Sequence, residues 1–139
     1  MGLMAARYFT AEEANEALSE LRPLAERMVD CRRELLEAQR RRATLGAQVG
    51  TNGGDLTPSD FVEADAELEH AASGLADSIE RIQAAGVLIK DLDRGLLDFP
   101  ARRGGEDVLL CWHVGEEEVG FWHGVDEGFS SRKPLEDVE

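Results

Sequence analysis

The sequence predicts an α+β fold, in which a long antiparallel helical hairpin precedes a small four-stranded antiparallel β-meander packed on the helices. Two apolar seams in the first half advance in steps of three and four residues, the spacing of paired helices. Runs with a period of two occur only after Gly86, separated by glycine-containing turns. With 139 residues, we expect one domain, 1–139, with a hairpin at 10–85, a sheet at 86–125 and an irregular tail at 126–139.

Composition excludes several classes of partner. The chain has 29 acidic and 15 basic side chains and a net charge of −14, so its surface repels nucleic acid and anionic lipid. We find no apolar run long enough to span a bilayer and no signal-peptide pattern near residue 1. Cys31 and Cys111 are too far apart to form a disulfide framework or a zinc pattern. We therefore expect a cytoplasmic protein that binds neither nucleic acid nor membranes.

The first helix has a clear start. Thr10 and Glu13 form a capping box, in which each side chain accepts from the other residue's backbone amide. The seam that follows has a heptad pattern and predicts a coiled-coil partner along its length; it comprises Ala17, Leu21, Leu24, Met28, Cys31, Leu35, Ala38 and Leu45. Pro23 removes one helix hydrogen bond, so we expect either a bend near Ser19 or a separate short first helix.

A glycine-rich connection, 46–56, predicts a flexible loop between the helices. The second helix is expected to start at Thr57 or Ser59, with Pro58 in its first turn, and Gly86 should end it. Its apolar seam comprises Phe61, Leu68, Ala72, Leu75, Ile79 and Ile82.

The first helix has a second apolar edge, which must be buried against another part of the protein or a second copy of it. Leu18, Ala25 and Leu36 lie beside the main seam, where either the sheet or a second copy of the hairpin could bury them. Of these two, we favour a homodimer.

Turn residues predict strands at 87–91, 96–102, 108–114 and 119–123. The simplest register sets Asp98 opposite both Lys90 and Cys111, and Cys111 opposite Trp122. His123 would then face the helices near Asp91. A slip of one residue would exchange the two faces of a strand.

The sheet carries the candidate site residues. A buried histidine needs a hydrogen-bond partner or a metal, and if a metal binds we expect His123 with Asp91 or Asp126 to hold it. Cys111 and His113 share a face but stand about 7 Å apart at their Cα atoms, which disfavours a nucleophile pair. The sequence indicates no catalytic residue and identifies no cofactor. The binding candidates are Lys90, Asp91, Asp98, Cys111, Trp122, His123 and Asp126.

Several short motifs together resemble the bacterial family known as domain of unknown function 2203. They are Arg7-Tyr8-Phe9-Thr10, Glu13-Ala14-Asn15, Gly86-Val87, Lys90-Asp91, Gly95-Leu96, Asp98-Phe99-Pro100, Leu110-Cys111-Trp112, Trp122-His123, Gly128-Phe129 and Pro134-Leu135. The resemblance covers almost the whole chain and implies a small bacterial cytoplasmic protein. The family has no established activity, so the resemblance transfers no catalytic residue. At position 113 it implies Arg or Lys, which disfavours His113 as a ligand.

Two hypotheses for function follow. The first is a non-enzymatic, homo-oligomeric interaction protein, supported by the heptad seam and the second apolar edge. The alternative is a metal- or small-ligand-binding protein, with hydrolysis as one option, whose site lies on the sheet around His123 and nearby carboxylates.

Overall fold

The computed structural model describes residues 7–52 and 57–135, with only the backbone described at 50–52. Two helices are followed by a five-stranded antiparallel sheet in the order β1-β2-β3-β4-β5. This confirms the α+β fold, but the sheet has one strand more than predicted, because part of the tail pairs with β4. The elements are α1 (Ala11–Asn52), α2 (Pro58–Ala84), β1 (Leu88–Asp91), β2 (Leu96–Arg103), β3 (Glu106–His113), β4 (Phe121–Gly124), a 3₁₀ helix (Phe129–Ser131) and β5 (Lys133–Pro134).

The first helix starts as predicted and ends later. Thr10 and Glu13 form both bonds of the capping box, each 3.0 Å long. Helix α1 then continues past Pro23 without interruption, so the alternative of a separate short helix was wrong. It also runs to Asn52, which shortens the predicted loop 46–56 at its start; 53–56 lie outside the described residues. An established helix gains one hydrogen bond per added residue, which offsets the cost of about 1 kcal/mol for each glycine.

Helix α2 begins at Pro58 with Thr57 as its N-cap, which agrees with the first of the two predicted starts, and the Thr57 amide donates to Asp60 Oδ2 at 2.9 Å. Its backbone reverses at Gly86, where φ is +88°, a conformation that favours glycine. The buried face of α2 differs from the predicted seam, since Ala72 is exposed. The buried residues are Ala64, Ala71, Gly74, Leu75, Ser78 and Ile82.

One chain covers much of the second apolar edge of α1. Leu18 and Ala25 are buried in the same core as sheet residues Leu97 and Phe99, while Leu36 is half-buried. The strongest reason for expecting a second copy is therefore removed, although the homodimer itself stays a prediction. Neither α1 nor α2 contains a stretch apolar enough to cross a bilayer.

The register of the sheet is partly as predicted. Asp98 lies opposite Cys111, but β1 is irregular between Ile89 and Asp91, and Leu88 instead of Lys90 pairs with Asp98. Cys111 lies opposite Phe121, not Trp122. This one-residue difference exchanges the faces of β4.

Because the two faces of β4 are exchanged, His123 lies on the opposite side of the sheet from the one predicted. The inner face of the sheet packs on the helices through Leu97, Phe99, Leu110 and Trp112, with Trp122 partly buried beside them. His123 therefore lies on the outer face with Asp98 and Cys111, and the prediction that it faces the helices was wrong.

Contacts from α1 hold the β3–β4 connection in this register. Asn15 donates to the Val119 carbonyl at 3.2 Å and accepts from the Val119 amide at 2.7 Å. Arg22 donates to the carbonyls of Glu116 and Glu117 at 2.8 and 2.6 Å. The helix thus fixes where β4 begins.

Candidate metal centre

Three side chains of types that can bind a metal ion converge on the outer face of the sheet. Asp98 comes from β2, Cys111 from β3 and His123 from β4, which are adjacent strands. One ligand atom from each lies within 4.8 Å of the others. The three residues are only 1%, 0% and 3% exposed, respectively. The sheet itself thus brings an Asp-Cys-His cluster together in a buried position.

The imidazole of His123 is held at both nitrogens. Nδ1 lies 2.8 Å from the Gly124 carbonyl oxygen, which can only accept, so Nδ1 carries a proton and donates it. Nε2 lies 3.2 Å from both Asp98 Oδ1 and Asp98 Oδ2. If Nε2 has no proton, a lone pair faces two acceptor oxygens. Either a proton or a metal cation must therefore lie between this nitrogen and the carboxyl group.

Burial affects the acidity of the other two groups. Desolvation raises the pKa of the Asp98 carboxyl, and the neighbouring His123 and the charge of Lys90 oppose this effect. Burial also raises the pKa of the Cys111 thiol to about 11, although Arg132 opposes the shift. The Cys111 thiol acts against burial and lowers the pKa of Asp98.

This arrangement does not suit nucleophilic catalysis. An active thiolate needs a lowered pKa and a base that takes its proton, whereas the pKa of Cys111 is raised. Both nitrogens of His123 are already directed at Gly124 and Asp98. The buried cluster is also closed to substrate in this conformation.

The C-terminal tail and the β3–β4 connection together form a cover over the Cys111 sulfur. Arg132 Nη1 lies 3.7 Å from Cys111 Sγ, and the guanidinium pairs with Glu116 through both of its terminal nitrogens. The same guanidinium stacks on the rings of Phe121 and Phe129, 3.9 and 4.3 Å from their centroids. The tail predicted to be irregular therefore contains a 3₁₀ helix and a strand that close this face.

The separation of the His123 nitrogen from the Asp98 oxygens is compatible with a divalent ion bound between them. Zinc bonds of about 2.0–2.2 Å to nitrogen and oxygen, at a tetrahedral angle, place those donors roughly 3.3 Å apart. The observed separation between Nε2 and each carboxylate oxygen is 3.2 Å. The Gly124 carbonyl fixes the tautomer that leaves Nε2 free to coordinate, a common arrangement for histidine ligands. One imidazole, one thiolate and one carboxylate would neutralise a divalent charge.

Among the candidates predicted from sequence, Asp98, Cys111 and His123 come together, and the others do not. Asp91 accepts from the amides of Asp93 and Arg94, so it shapes the β1–β2 turn instead of facing His123. Asp126 is exposed beyond β4 and is not in the cluster. The described residues thus bring His123 together with Asp98 and Cys111, and not with Asp91 or Asp126; the metal set expected from the sequence stays a prediction.

Lys90 and Trp122 also fall outside the cluster. Lys90 lies exposed in the irregular part of β1, and its charge acts on Asp98 through space. Trp122 faces inward, where the side chains of Arg103 and Lys133 stack on its ring. The sequence did not place Arg132 or Glu116 beside Cys111, because the tail and the long connection carry no periodic signal.

The fold and the cluster together define an α+β protein with a buried Asp-Cys-His centre under a C-terminal cover. A family model described as "Uncharacterized conserved protein (DUF2203)" matches residues 7–135, and the chain belongs to this family. The resemblance found in the sequence motifs is thereby confirmed. No curated protein and no solved structure matches the chain.

Proposed function

We propose that this protein binds one divalent cation of the Zn²⁺ type through Asp98, Cys111 and His123, and that the ion ties together strands β2, β3 and β4. The observation that carries the proposal is the position of His123 Nε2, which lies 3.2 Å from both oxygens of a buried carboxyl group while Nδ1 is committed to a backbone carbonyl. A metal ion held between this nitrogen and the carboxyl group would satisfy both in place of a proton.

The ligand types select the class of metal. A thiolate with an imidazole suits Zn²⁺ and related borderline ions, whereas Mg²⁺ and Ca²⁺ prefer shells made only of oxygen. Because the three ligands come from three neighbouring strands and are buried, the proposed ion has a structural role. Metal bound only by the folded chain stabilises that fold.

The test is equilibrium dialysis of the full chain against Zn²⁺, followed by measurement of metal content. We expect one tightly held ion per chain, and no tightly held ion in His123→Ala. The acidic surface also attracts cations weakly, so the matched control is His70→Ala, which alters an exposed histidine of α2, outside the cluster. Equal metal content in His123→Ala and the unaltered chain would overturn the proposal.

The homodimer is a separate proposal. Leu18 and Ala25 no longer argue for it, since the core of a single chain already buries them. The mass of the purified protein in solution would show whether it is a single chain or a pair of chains.

A further inference from the structure

We infer that Arg132 is a positioning residue of the metal centre, whose guanidinium holds the Cys111 sulfur where the ion needs it. This inference rests on the proposed metal-binding function and adds a fourth residue to that site. Arg132 would not contact the ion; it would act through the sulfur, from which Nη1 is separated by 3.7 Å.

The guanidinium is itself fixed from several sides. Nη1 lies 3.2 Å from Glu116 Oε1 and Nη2 donates to Glu116 Oε2, the paired geometry that arginine forms with carboxylates. The rings of Phe121 and Phe129 contact the guanidinium as well. The side chains of Arg132 and Glu116 are only 15% and 16% exposed, so water competes little for this pair.

Glu116 is in turn anchored to the body of the protein. Its carbonyl accepts from Arg22 of α1 at 2.8 Å and from the Trp112 indole at 3.0 Å. Its Oε1 accepts from the His113 amide at 3.1 Å. A continuous series of contacts therefore runs from the first helix, through Glu116 and Arg132, to the sulfur.

The contact between Arg132 and the Cys111 sulfur would affect how that sulfur binds a metal ion. An N–H donor directed at a thiolate restricts the rotation of the cysteine side chain and offsets part of its buried charge. Removing a partner that orients a ligand in this way typically costs about 10- to 100-fold in metal affinity. Arginine is suited to this role because its planar fork can bind Glu116 and still direct an N–H at sulfur.

The experiment is a Co²⁺ titration of the full chain, because a cobalt–thiolate bond gives a charge-transfer band that reports on Cys111 directly. In Arg132→Met, we expect affinity to fall by about 10- to 100-fold and the band to weaken or shift. Arg132→Lys should recover part of the affinity, because it keeps the charge but lacks the fork.

The matched control is Lys133→Met. Lys133 is the next residue in the tail, stacks on Trp122 and pairs with Glu127 at 3.0 Å. Its loss removes the same charge and comparable tail contacts without altering the contact with sulfur. We expect Lys133→Met to bind Co²⁺ with unchanged affinity and an unchanged band.

The outcomes separate the two proposals. If the unaltered chain binds no Co²⁺ through a thiolate, the proposed function fails. If it does bind, and Arg132→Met matches it in affinity and spectrum, the metal centre stands and the role of Arg132 is overturned. If Arg132→Met fails to fold, the Co²⁺ affinity of Arg132→Lys is compared with that of Lys133→Met instead. Equal affinities in these two variants would overturn the inference.

Discussion

Changing Asp98 to Asn tests the buried cluster with almost no change of shape. The substitution replaces one carboxylate oxygen by an amide nitrogen, which can donate to His123 Nε2 across the observed 3.2 Å. The amide supplies the hydrogen that lies between the two groups, so the metal-free fold needs no added proton or metal there. The metal site, however, loses its carboxylate ligand and one of its negative charges.

The expected size of the effect follows from linkage. At a free Zn²⁺ concentration 100 times the dissociation constant, binding to the folded chain alone adds about 2.7 kcal/mol to the free energy of unfolding. We expect the unaltered chain to gain about this much and Asp98→Asn to gain almost nothing. With a chelator present, Asp98→Asn should lie within about 1 kcal/mol of the unaltered chain, because the hydrogen bond to His123 is kept.

Urea unfolding with and without Zn²⁺ measures this difference. Asp91→Asn is the matched control, since Asp91 lies on the neighbouring strand and, among the described residues, its side chain accepts hydrogen bonds from amides of its own turn alone. It should gain as much stability from Zn²⁺ as the unaltered chain does. An equal gain in Asp98→Asn, or no gain in the unaltered chain, would refute the reasoning.

Three further expectations concern acidity, packing and assembly. Because burial raises the pKa of Cys111 to about 11 from 9.0, the unfolded chain loses this proton first as pH rises. In chelator, Cys111 should therefore cost the protein about 2 kcal/mol of stability between pH 9 and 11, and urea unfolding of Cys111→Ala should show a shallower decline; equal slopes would contradict this. In Gly74→Ala the new Cβ would lie 2.7 Å from Cys31 Sγ, so we expect a loss of about 1–2 kcal/mol by urea unfolding, relieved when Cys31→Ala is added. A Gly74→Ala protein that is more stable than the unaltered chain would show that the helices can separate without cost. Sedimentation equilibrium should give twice the 15.3 kDa chain mass if the predicted homodimer forms, and a single-chain mass would end that proposal.

Local signals in the sequence predicted much of the fold. The capping pair of Thr10 and Glu13, the start at Pro58 and the reversal at Gly86 each depend on interactions within a few residues. The pairing of Asp98 with Cys111 was also accessible, because a short turn joins β2 to β3 and fixes their register.

The β3–β4 register could not be obtained in this way. The connection between these strands has no single turn type, and Asn15, about a hundred residues away in sequence, holds it at Val119. A shift of one residue places His123 beside Asp98 instead of Asp91. The tail cover depends likewise on a distant pair, Arg132 with Glu116. The types of residue in the site were thus predicted, while their combination depended on contacts between distant parts of the chain.

Native mass spectrometry of the full chain, purified without exposure to chelator and then supplied with Zn²⁺, tests the central claim most directly. We expect each chain to carry the mass of one divalent ion, and the added mass to disappear in a protein with both Asp98→Asn and His123→Ala. A chain without added mass, or added mass that persists in this double variant, would contradict a metal centre at Asp98, Cys111 and His123.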